Sequence, residues 1–66
     1  MRECRFLTKD PEGKPVSKRG KFHQWGYVAY EYKDRGIMQT MAIVEDETGQ
    51  ICMILPKDIQ FIDELL

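Results

Sequence analysis

Polar and apolar positions alternate loosely over residues 3–8, the period-two signature of a half-buried strand. Residues 9–15 break that pattern with Pro11, Gly13 and Pro15 and read as a turn or exposed loop. Residues 16–20 are mostly polar and continue it, which predicts a mobile basic loop over residues 9–20. From residue 21 to about 32 the chain is rich in aromatic and β-branched side chains and predicts a long strand. Gly26 is the expected site of a bulge or sharp bend in it. Lys33, Asp34, Arg35 and Gly36 read as a turn with the glycine at its end. The strongest predicted strand covers residues 37–45. Asp46, Glu47, Thr48 and Gly49 then form a hairpin turn, with Gly49 suited to positive φ, and residues 50–55 return as the partner strand. Pro56, Lys57 and Asp58 fit one 3₁₀ turn. A last short strand over residues 59–62 and an acidic, apolar tail over residues 63–66 complete the chain.

These elements predict one all-β domain over residues 1–66, either a small antiparallel sheet or a Src-homology-3-like barrel with one 3₁₀ turn. Their order is similar to that of such barrels, an architecture shared by many unrelated functions. Without a bulge, Phe22, Gln24, Gly26, Val28, Tyr30 and Tyr32 share one side of the long strand and read as core. Lys21, His23, Trp25, Tyr27, Ala29 and Glu31 share the other. A bulge at Gly26 would move Val28, Tyr30 and Tyr32 to the side of Trp25. In the strand over residues 37–45 both sides carry apolar side chains, which calls for a cover on each. A second subunit is the expected cover, with Met38, Met41 and Met53 as adaptable contacts.

Size points the same way. A chain of 66 residues lies near the lower limit for a self-sufficient core. Two cysteines, Cys4 and Cys52, and one histidine make neither a disulfide scaffold nor a zinc site. Self-association therefore remains, and a homo-oligomer, taken as a tetramer, is expected. No apolar run approaches the ~20 residues of a membrane span and no signal-peptide pattern follows Met1, so a reducing cytoplasm is the expected setting. The formal net charge is −1, with seven Lys or Arg against three acids in residues 1–21 and three against eight thereafter. Long nucleic acid held by charge is disfavoured by that balance, whereas a small anionic ligand is allowed.

The candidate site is the segment from Gly20 to Tyr27, which holds the only tryptophan and the only histidine. Trp25 offers a flat stacking face with one donor, and either plugs the core or stacks on a base. Arg19 and Lys21 are candidates to neutralise phosphate. His23 and Gln24 are candidates to bond a phosphate or a base edge. Tyr27 and, on the adjacent strand, Thr40 complete the candidate set. No phosphate loop, nucleophile elbow or metal-ligand spacing is present, so neither enzymatic chemistry nor a cofactor or metal is expected.

The run Lys21, Phe22, His23, Gln24, Trp25, Gly26, followed by residues 40–45 and then by Ile54, Leu55, Pro56 with Ile59, Gln60, Phe61, resembles a pattern in small bacteriophage and prophage proteins. There a Phe-His-x-Trp-Gly core precedes an Ala-Ile-Val-Glu hairpin and a closing proline–isoleucine–phenylalanine segment. The likeness spans residues 20–62 and is to the sponge proteins that sequester cyclic nucleotide signals of the CBASS anti-phage defence. It implies an oligomeric β protein that traps cyclic di- or trinucleotides, such as cyclic GMP-AMP, between subunits without cleaving them. On that resemblance Trp25 stacks a base while His23, Gln24, Arg19 and Lys21 hold base edges or phosphates. The chain departs from the pattern at Glu47, Thr48 and Gly49, where a simple Asp-Gly is expected, and the basic segment before Gly20 has no counterpart. A protein-interaction module or inhibitor of a host enzyme is the alternative from a different class, and single-stranded nucleic-acid binding a third.

Overall fold

The computed structural model describes residues 1–62; the expected tail over residues 63–66 lies outside them. The elements are β1 (Arg2–Lys9), β2 (Pro15–Tyr32), β3 (Arg35–Asp46), β4 (Ile51–Ile54), a 3₁₀ turn (Pro56–Asp58) and β5 (Ile59–Phe61). They form one antiparallel sheet in the order β4-β3-β2-β1-β5. Among the described residues β4 and β5 are its edges and are not paired with each other, so the sheet is not closed.

Two of the three hairpins use the same local device. Asp10 and Asp46 each begin a loop whose fourth residue, Gly13 or Gly49, has positive φ (84° and 91°). In each, the aspartate Oδ1 accepts two backbone N–H groups, from Glu12 and Lys14 (2.9 and 2.8 Å) or from Thr48 and Gln50 (2.9 and 3.0 Å). The aspartate thus satisfies the donors that a tight reversal strands, and glycine takes the backbone twist at no steric cost. Only the β2–β3 hairpin differs. Lys33 and Asp34 have φ of 52° and 62° between the paired Tyr32 and Arg35, a two-residue turn of the I′ kind. Gly36, expected to end that turn, lies instead within β3.

The core is small: Cys4 and Phe6 from β1, Ala42 and Val44 from β3, and Ile54 from β4. Phe22, Cys52, Ile59 and Phe61 pack against it. The sheet curls enough for β1 and β4 to touch although two strands separate them. Its pivot is Gly20, which pairs with Cys4 on one side and Asp46 on the other. A Cβ there would stand 2.5 Å from the Glu45 carbonyl oxygen and 3.0 Å from the Phe6 ring, so only glycine lets the strands approach this closely.

Two further expectations need correction. Residues 15–20, expected as part of a loop, are the first third of β2 and pair with β1 from Pro15↔Lys9 to Gly20↔Cys4. Their polar side chains reflect exposure, while the backbone ladder makes the strand. The bulge is not at Gly26: the register with β3 slips between Phe22 (↔Val44) and Gln24 (↔Ile43), leaving His23 as the extra residue.

Candidate functional site

That slip redistributes the candidate residues. Lys21 pairs with Glu45 and Trp25 with Ala42. Glu45 and Ala42 are three apart in β3 and lie on opposite faces, so Lys21 and Trp25 do too. The expected row of cation, imidazole, indole and phenol on one side is not formed.

On the core face Trp25 meets Phe22 edge-on (centroids 5.2 Å, 60°), and Phe22 meets Phe61 likewise (5.0 Å, 88°). Trp25 and Phe61 lie 6.3 Å apart at 84°. The Arg2 guanidinium stands over the Phe61 ring at 3.9 Å. β5 makes this cluster possible by pairing Phe61 with Cys4, beside Arg2↔Phe22. Each such ring pair contributes roughly 0.5–1.5 kcal/mol and the cation roughly 0.5–1 kcal/mol at a wet site. Trp25 therefore caps the edge of the core and still leaves 47% of its surface in solvent. The core-plug reading of this tryptophan is realised in part, with the remainder of the ring open to solvent. Tyr27, paired with Thr40, follows on the same face, and both are exposed.

On the outer face the cations have acidic neighbours. The Arg19 Nε donates to Glu3 Oε2 at 3.2 Å, and His23 Nε2 lies 2.9 Å from Glu45 Oε1. Glu3, Arg19, Lys21, Glu45, Asp46 and Glu47 border one shallow depression, where carboxylates outnumber cations. Gln24 is exposed on this face, paired with Ile43. The Asp46 carboxyl is held below the ordinary carboxylate value by the Thr48 hydroxyl (2.6 Å) and the Gln50 N–H. Burial, with a smaller contribution from Glu3, pushes the Cys4 thiol up, so it is a poor nucleophile at neutral pH.

The structure thus joins Trp25, Tyr27 and Thr40 and separates them from Lys21, Arg19, His23 and Gln24. Arg2 and Phe61 belong to the aromatic cluster and were not among the sequence candidates, and Phe22, read as core, joins them. The predicted closing strand was the available signal, because pairing it with β1 brings Phe61 beside Arg2. Among the described residues no three His, Cys, Asp or Glu side chains are grouped to hold a metal ion, and no helix is long and apolar enough to cross a membrane. No protein family, curated protein or solved structure matches this chain.

Proposed function

We propose that the protein sequesters a cyclic oligonucleotide signal by stacking a base on Trp25, without cleaving it. The observation that carries this reading is a half-exposed indole in an aromatic cluster that also holds a guanidinium, with Tyr27 and Thr40 open beside it. Base–aromatic stacking contributes roughly 1–3 kcal/mol per base, and Arg2 supplies the positive charge that a phosphate requires. The Phe22-His23-Gln24-Trp25-Gly26 run and its resemblance to the phage sponges support the same ligand class. A small Src-homology-3-like barrel, closed by association of subunits in the cytoplasm of an infected bacterium, is the setting this reading adopts. Function is then mass action: each bound messenger lowers the free concentration that reaches a host effector. Thermal shift of the purified protein against a panel of cyclic di- and trinucleotides tests it. At least one ligand is expected to raise the midpoint and to be recovered intact by chromatography. A folded protein that responds to none of them contradicts the reading.

A protein-interaction module is the second reading, favoured by one specific feature. The outer-face cations sit among carboxylates, whereas Leu7, Met53, Ile54 and Leu55 border an apolar groove beside the edge strand β4. An extended partner peptide adding to that edge would use it. Capture of a stoichiometric protein that survives nuclease treatment and nucleotide removal favours this reading over the first.

A further inference from the structure

Beyond residue 25 the β2–β3 hairpin leaves the rest of the sheet, since β1 pairs with β2 only as far as Phe22 and β4 pairs with β3 only from Ala42 onward. The radius of gyration is 13.5 Å against about 11 Å for a compact chain of this length. An isolated two-stranded ribbon is marginal in water. This ribbon is also apolar on the face opposite Trp25, where register places Val28, Tyr30 and Tyr32 of β2 beside Ile37 and Met41 of β3. The stripe continues through Ile43 to Met53 and Ile51 of β4. No second layer of this chain's described residues covers it.

The side chains of β3 on that face, read along the strand, are Arg35, Ile37, Gln39, Met41, Ile43 and Glu45. The order is self-complementary under reversal: cation against anion at the ends, isoleucine against isoleucine, and Gln39 against Met41 at the centre. We infer that this face is a homodimer interface, with two copies packed antiparallel about a twofold axis level with residue 40. Arg35 of each copy then meets Glu45 of the other, an isologous contact that repeats itself by symmetry. Glu45 keeps its bond to His23 and gains a cationic partner in Arg35. Tyr30 is 48% exposed, Tyr32 56%, Ile51 54% and Met53 44%. With side chains of roughly 150–250 Å² each, these four offer about 300–500 Å² per copy, so that two copies bury on the order of 600–1,000 Å² through them, the size of a weak, concentration-dependent dimer. Opposite charges at the two ends fix the antiparallel register and disfavour a parallel one.

The inference is independent of the ligand assigned to Trp25, which lies on the other face. Sedimentation equilibrium tests it by mass alone, with circular dichroism confirming the fold of each variant. The wild type is expected to approach twice the 7.8 kDa chain mass as concentration rises. Arg35→Glu and Glu45→Arg, each alone, set like charges together and are expected to weaken association by tenfold or more. An equimolar mixture of the two restores it, since both ends then carry opposite charges. Ile37→Asp is expected to leave a monomer. A wild type that stays monomeric up to about 1 mM overturns the inference. So does a dimer indifferent to Arg35→Glu and Ile37→Asp, or single variants whose mixture shows no recovery.

Discussion

Trp25 and Lys21, four residues apart on one strand, point to opposite faces of the sheet because His23 is an extra residue in the register with β3. On the proposed reading, a small ligand stacked on Trp25 is therefore out of reach of Lys21, and the cation beside it is Arg2 over Phe61. The expected outcome is that Arg2→Ala weakens nucleotide binding several-fold while Lys21→Ala leaves it within twofold. Calorimetric titration of the two variants checks this.

Gly20 sits where β1, β2 and β3 meet, with the Glu45 carbonyl oxygen 2.5 Å from where a Cβ would be. The obstruction is backbone and cannot rotate away. Gly20→Ala is expected to destabilise the fold by about 1–3 kcal/mol, read as a lower urea midpoint. A substitution at Gly36, where a Cβ meets open space, is the matched control.

Lys33 and Asp34 adopt positive φ in the β2–β3 turn, which asparagine and glycine tolerate far better. Replacing the pair by Asn-Gly is expected to stabilise the protein by about 1 kcal/mol. Equilibrium denaturation measures it, and an unchanged midpoint contradicts the turn assignment.

The Asp46 carboxyl is stabilised in its ionised form by the Thr48 hydroxyl and backbone N–H groups, so its folded pKa lies below its unfolded one. The stability it contributes is fully present above the usual 3.8 and is lost as pH falls through the lower folded value. Wild type is expected to exceed Asp46→Ala in thermal midpoint at neutral pH, with the gap closing as the medium is acidified below that range. A gap independent of pH contradicts the role of the charge.

Much of this fold was legible because local chemistry and tertiary structure agree. Asp46 with Gly49 marks a hairpin, Pro56 starts a 3₁₀ turn, and the run over residues 37–45, apolar on both sides, marks β3. Residues 15–20 were misread for a physical reason: a strand held by its backbone ladder with solvent-facing side chains carries no hydrophobic period. The bulge was misplaced because its position answers to distant residues. Skipping His23 seats both Phe22 and Trp25 beside Phe61, a ring 36 residues further along the chain than Trp25. The candidate site inherited that displacement, and Arg2 joined it only through the pairing of β1 with β5.

Trp25 is the single tryptophan, so its emission reports the proposed contact without interference from another indole. Titration with cyclic di- and trinucleotides, followed by tryptophan fluorescence, is the most direct test of base stacking. Saturable quenching by at least one of them is the predicted result, with affinity read by calorimetry falling roughly 5- to 150-fold in Trp25→Phe or Trp25→Ala as the stacking energy is reduced or lost. Binding seen by calorimetry that leaves the emission of Trp25 unchanged, or no binding by the folded protein, would contradict it.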